Sequence, residues 1–130
     1  MAKSSIIFEN FQPVYRYKVK NGRPVNKEVI DHDLWGARGV VYARVHGKSV
    51  VYIGKTDGSL RGRIRTHLRG FPHAKQGMSP HYRKWAEGKT ITIFAHKPEP
   101  ITYLGLSVPI HTGLEYALIE RVEPKFVARK

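Results

Sequence analysis

A chain of 130 residues has the size of one domain organised around one continuous core. Lysines and arginines outnumber acids 23 to 10, and the formal net charge of +13 creates a positive field that draws polyanions, with nucleic acid the leading partner and an anionic membrane surface the competing one. The absence of cysteine excludes disulfides and thiolate metal sites, so any metal must rest on carboxylate, imidazole or water, which favours a hard divalent cation over structural zinc.

No apolar run approaches the roughly 20 residues needed to span a bilayer. At the N-terminus Ile6, Ile7 and Phe8 are followed at once by Glu9 and Asn10, too early for a secretory signal, and a cytoplasmic protein is expected. Residues 1–36 read as an N-terminal arm packed on a core of residues 37–130, because short mixed runs are broken at Pro13, at Asn21-Gly22 and at Pro24. Within the arm Tyr15, Tyr17 and Val19 alternate with Arg16, Lys18 and Lys20, the pattern of a half-exposed strand that turns at Lys20-Asn21-Gly22-Arg23. Such a strand is either a solvated edge or a basic strip lying along a nucleic-acid backbone.

Two β-branched runs, Val40 to Val45 and Val50 to Ile53, flank His46-Gly47-Lys48-Ser49 and predict a hairpin. Its register matters. A two-residue turn at Gly47-Lys48 would pair Ala43 with Tyr52 and put Tyr42 and Tyr52 on opposite faces, whereas a longer loop or one bulge would set the two phenols side by side. Asp57-Gly58-Ser59 then breaks the strand, and Ser59 caps a helix that Gly70 and Pro72 stop. Leu60, Ile64 and Leu68 form its buried stripe, Arg63 and His67 share one shoulder of that stripe, and Arg61, Arg65 and Arg69 face away.

Residues 71–82 form a turn-rich linker whose His73 and His81 have no metal-ligand spacing. Tyr82 to Glu87 suits a short helix with Trp85 turned inward, and Thr90 to Phe94 a third strand closed by Pro98 and Pro100. The last helix is expected from Thr112, where Thr112-Gly113-Leu114-Glu115 fits a capping box, to Pro124. Glu115 also sits at the edge of the stripe of Leu114, Leu118, Ile119 and Val122, where a carboxylate must be paired, protonated or bound to metal.

Taken together, the hairpin, the Tyr52-Ile53-Gly54 strand end, the Arg63/His67 helix and the late Glu115 helix closed by proline resemble the GIY-YIG nucleases in their order, over roughly Gly39 to Lys125. The resemblance implies an α+β fold with a small three-stranded antiparallel sheet flanked by helices. It also implies that Tyr42, Tyr52, Arg63, His67 and Glu115 line one catalytic site, and that Gly54 lets the strand end lie close to the following helix. Two departures stand out: the first triplet reads Val40-Val41-Tyr42, and the asparagine often found three residues after the closing proline is here Val127, so that its contribution is either absent or supplied from elsewhere, with Asn26 and Gln76 as the candidates.

Phosphodiester hydrolysis needs a deprotonated nucleophile, compensation of phosphoryl charge and help for the leaving oxygen. Glu115 is the obvious ligand for Mg²⁺, with Mn²⁺ as a substitute, in a one-metal site. Arg63 suits the transition-state charge, Tyr42 the proton of the attacking water if cations lower its pKa, His67 the orientation of Tyr42 or receipt of its proton, and Tyr52 the positioning of water or phosphate. Lys55, Arg61, Arg65, Arg69, Lys75, Arg83 and Lys84 are the candidate DNA contacts. The expected partner is double-stranded DNA, and cutting two strands with one site per chain suggests a homodimer or successive nicks. Three functions stay open: a sequence-specific restriction-type endonuclease, a structure-selective repair or recombination nuclease, and a non-catalytic nucleic-acid-binding module.

Overall fold

The computed structural model of the chain describes residues 3–69 and 80–127, with Arg69 and Pro80 described by backbone alone. A short helix α1 (Ser5–Asn10) buries Ile7 and leads into β1 (Gln12–Lys20). In β1 the alternation is realised as expected, with Tyr15, Tyr17 and Val19 buried and Arg16, Lys18 and Lys20 exposed. The turn to β2 (Arg23–Val29) uses Asn21 at φ 54° and Gly22 at φ 72°, the left-handed pair that matches strand twist in a two-residue hairpin. Next comes α2 (His32–Trp35), capped by Asp31, whose Oδ1 accepts from the Leu34 amide at 3.0 Å.

The central hairpin is β3 (Arg38–His46) and β4 (Ser49–Ser59). Helix α3 (Leu60–Arg69) follows without a loop, and the Gly62 amide donates to Ser59 Oγ at 3.1 Å, the expected cap. Helix α4 (Pro80–Ala86) precedes β5 (Thr90–His96). A separate ribbon, β6 (Ile101–Tyr103) and β7 (Leu106–Val108), precedes the last helix α5 (His111–Val122).

The main sheet has five strands in the order β2-β1-β5-β3-β4, all antiparallel, where three were expected. The arm supplies the other two. Tyr17 pairs with Ile91 and Arg16 with Thr92, so β1 lies inside the sheet and β2 is the edge. One face buries Tyr17, Val40, Tyr42 and Ile93 against Trp35, Leu60, Ile64 and Tyr82 of α2, α3 and α4, and the other buries Val41, Ala43 and Ile53 against Ile7 of α1 and Leu118 and Val122 of α5. A strand covered on both faces reads as an unbroken apolar run, which is why Val40 to Val45 lack alternation.

The hairpin register answers the question left open by the sequence. Gly47-Lys48 is a two-residue turn, with His46 opposite Ser49 and Val45 opposite Val50, but the pairing then slips by one so that Arg44 faces Tyr52 and Tyr42 faces Gly54. Val51 is the extra residue of this bulge. Tyr42, Arg44 and Tyr52 therefore point to the same face, with the two phenol rings 6.2 Å apart. Gly54 serves this arrangement rather than an approach to α3: a Cβ there would stand 2.7 Å from Tyr42 Cζ and Oη and 3.0 Å from a Tyr52 ring carbon.

Helix α5 begins one residue before the expected start, with Ile110 at its N-cap and no side-chain cap, so Thr112 lies inside the first turn and the capping box does not form. Glu115 is left half-buried beside the sheet. Of the two aromatic residues of α4 it is Tyr82 that is buried, while Trp85 is half-covered, packed edge-on to Phe126 at 5.7 Å.

Gly54→Ala should destabilise the protein by about 1–3 kcal/mol through forced movement of the two tyrosine rings. Urea unfolding measures it, and an unchanged midpoint would mean that Tyr42 does not lie over Gly54.

Candidate active site

Strands β3 and β4 and helix α3 bring four polar side chains to one buried face. Tyr42, Arg44 and His67 are only 1%, 1% and 6% exposed. Arg44 is at their centre: its Nη2 lies 2.6 Å from His67 Nδ1, and its guanidinium stacks over Tyr52 at 5.1 Å and Tyr82 at 5.6 Å. It also hydrogen-bonds Tyr42. A guanidinium carries only donors, so Nδ1 of His67 is the acceptor, and the neutral ring carries its proton on Nε2. The sequence reading passed over Arg44. Its signal was a charge inside a run of otherwise apolar residues, Val40 to Val45, which in a doubly covered strand must be compensated by its neighbours.

Arg63 is exposed on α3 and biases the titration of Tyr42, His67 and Glu115, which makes it the common neighbour of groups from both sides of the sheet. β4 is the outer strand, with α3 packed on one of its faces and α5 on the other, and the charge of Arg63 on α3 acts on groups of both. Glu115 enters from α5, where the charges of Lys55, Arg63 and His111 act on its carboxyl group. His111 is a further neighbour that the sequence reading missed. Its Nε2 is 2.6 Å from Asp57 Oδ1, and this bond and Lys55 together hold the exposed Asp57 carboxyl below its ordinary pKa.

Burial changes the expected proton chemistry. The Tyr42 phenol was expected to be acidified by nearby cations, but desolvation raises its pKa well above the ordinary value, and Arg44 and Arg63 offset only part of that rise. His67 is not a switch near neutrality: burial first, then the charges of Arg44 and Arg63, push it down to about 3. Glu115 moves up, because desolvation outweighs the attraction of Lys55, Arg63 and His111 for its anion.

Among the described residues Glu115 has no hydrogen bond or ion pair, and no cluster of three or more His, Cys, Asp or Glu could hold a metal. A half-buried carboxylate that none of the described residues hydrogen-bonds suits a hard cation that takes its other oxygens from water and phosphate. Of the expected DNA contacts, Arg61, Arg65 and Lys84 are exposed and Lys55 and Arg83 half-buried, while the Arg69 side chain and Lys75 lie outside the described residues. Asn26 cannot replace the missing asparagine, since it sits on β2 at the far edge of the sheet from β4; Gln76 lies outside the described residues.

No protein-family model matches this sequence, and no curated protein matches it. The fold is nonetheless shared with solved structures. One is a mutant of bacteriophage T4 EndoII, at a TM-score of 0.70 and 16% identity, covering 97% of this chain and 98% of that one. Another is restriction endonuclease HPY188I in complex with product DNA, at a TM-score of 0.59 and 20% identity, covering 91% of this chain and 76% of that one. The α+β architecture of this chain is therefore shared with a phage EndoII and a restriction endonuclease.

His67 has a folded-state pKa below its unfolded value, so the unfolded chain binds more protons once the pH drops below about 6.5, and stability falls from there toward about pH 3. Nitrogen-15 NMR of the ring should show an Nε2–H tautomer at neutral pH and no titration near 6.5. A midpoint near neutrality would remove Arg44 from its contact with the ring.

Proposed function

We propose that this chain is a metal-dependent endonuclease of the GIY-YIG type that hydrolyses phosphodiester bonds of double-stranded DNA through a one-metal site, as a sequence-specific restriction-type enzyme. The observation that carries this reading is Arg63, an exposed cation whose charge acts both on the buried Tyr42 phenol and on the Glu115 carboxyl group, which among the described residues has no hydrogen bond or ion pair. Support also comes from the fold shared with two proteins whose names describe an EndoII and a restriction endonuclease with product DNA, and from the net charge of +13.

Glu115 is the residue that would hold Mg²⁺, or Mn²⁺ in its place, which would supply Lewis-acid compensation for charge on the leaving oxygen. Arg63, exposed and permanently charged, clasps the phosphoryl oxygens and offsets the charge they gain as water attacks phosphorus. Tyr42 accepts the proton of that water. Because burial raises its pKa, the phenolate is a minor species at neutral pH, and Arg44 and Arg63 are what make it accessible. His67, held neutral with Nδ1 engaged by Arg44, keeps its proton on Nε2 as a fixed donor. Tyr52 positions phosphate or water, and Arg61, Arg65 and Lys84 hold the duplex by its backbone.

Supercoiled plasmid incubated with Mg²⁺ should be cut to discrete bands, and a chelator should stop it; binding without cutting would leave only a nucleic-acid-binding module. Glu115→Ala should abolish cutting while sparing DNA binding, and retained cutting would refute the metal role. Arg63→Ala should lower the rate by about 10²–10³-fold, the range seen on removing one preorganised charge-stabilising donor. The phenolate fraction of Tyr42 grows tenfold per pH unit below its raised pKa, so the single-turnover rate should climb with pH through the alkaline range. Tyr42→Phe should flatten that slope; an unchanged slope would assign the proton to another base.

A further inference from the structure

The β6–β7 ribbon takes no part in the site. Its register pairs Ile101 with Val108 and Tyr103 with Leu106, so four apolar side chains share one face, while the Thr102–Ser107 pair holds the other. Such alternation belongs to a ribbon with one covered face. Yet Ile101, Tyr103 and Leu106 are 51%, 65% and 63% exposed, and Leu104 at the turn is 83% exposed. A two-stranded ribbon is marginal in water by itself, and among the described residues no third strand joins it, so both of its edges keep unpaired backbone groups.

Charge indicates what covers the apolar face. Between Lys97 and Arg121 the sequence has no lysine or arginine and carries Glu99, Glu115 and Glu120, in a chain of net charge +13. No other stretch of this chain is as long without a cation. A polyanion gains nothing from such a ribbon. A second copy of the chain gains the most, because like charge opposes its approach over the basic remainder of the surface and opposes it least here. A two-fold axis sets the same face of each ribbon against the other, so one self-complementary patch makes a closed pair.

We propose that the chain forms a symmetric homodimer through this ribbon, with Ile101, Tyr103, Leu104 and Leu106 of each copy packed against the partner copy. The interface is independent of the reading of the active site, although two copies also supply one site for each strand of a duplex.

Sedimentation equilibrium of the full chain without DNA tests it, so a protein that fails to cut plasmid leaves the measurement standing. The wild type should sediment as two chains. Leu106→Asp places two carboxylates in the interface and should weaken the pair at least tenfold, whereas Thr102→Asp on the polar face should leave it intact. Leu104→Asn keeps the fold under test, because asparagine favours the left-handed φ of 54° found there and forms an Asn-Gly turn with Gly105; it should also weaken the pair. Wild type that stays a single chain at every concentration would overturn the proposal, as would Leu106→Asp pairing like wild type or both faces responding alike. Single chains in solution that co-sediment with anionic vesicles would overturn it in favour of a lipid surface.

Discussion

Pairing between β3 and β4 governs everything built on that face. With Val51 bulged out, Tyr52 and Gly54 rotate onto the side that carries Tyr42 and Arg44, and the missing Cβ of Gly54 is the space into which the Tyr42 ring fits. An unbulged ladder would send Tyr52 to the α5 side, away from Arg44 and His67, and would turn Ile53 off that side. The bulge lies between the turn and the site, so the turn can be the tight Gly47-Lys48 type while the site keeps its own register.

Around that register the protein buries a positive charge. Moving a guanidinium out of water costs several kcal/mol, and here the compensation comes from the faces of Tyr52 and Tyr82, a hydrogen bond with Tyr42 and the lone pair of His67 Nδ1. The consequence reaches each neighbour. His67 cannot add a second positive charge beside Arg44, so it stays a neutral ring with a defined tautomer, and the Tyr42 phenol is pulled toward ionisation by the same charge that its burial opposes. Burial thus sets the direction of both shifts, and Arg44, itself buried, deepens that of His67 and offsets part of that of Tyr42.

Charge is also distributed unevenly over the surface. Helix α3 turns Arg61 and Arg65 outward next to Arg63, whereas the β6–β7 ribbon and α5 up to Glu120 have no lysine or arginine. Glu115 lies on α5, beside β4, and the charges of Lys55, Arg63 and His111 favour its anion. A polyanion and an apolar partner can then occupy the same molecule without competing, because each is recognised by a surface that the other has no energetic reason to visit.

Local periodicity was legible in the sequence because each pattern reports one element against one boundary between core and solvent. The alternation of Tyr15, Tyr17 and Val19, the Leu60/Ile64/Leu68 stripe, the Ser59 cap and the strand at Thr90 to Phe94 all needed no knowledge of distant neighbours. The chemical inventory, two phenols, an arginine, a histidine and a late glutamate, was equally plain. What only the tertiary structure decided were quantities that depend on remote partners. The insertion of β1 beside β5 made a five-stranded sheet, because a strand pattern states that a face is buried and not which strand lies next to it. The bulge at Val51, the burial of Arg44 and the upward and downward pKa shifts of Tyr42 and His67 follow from packing across β3, β4 and α3. Sequence alone determines which groups are available; their protonation and their meeting place are set by burial and by charges far away along the chain, and those exist only once the chain has folded.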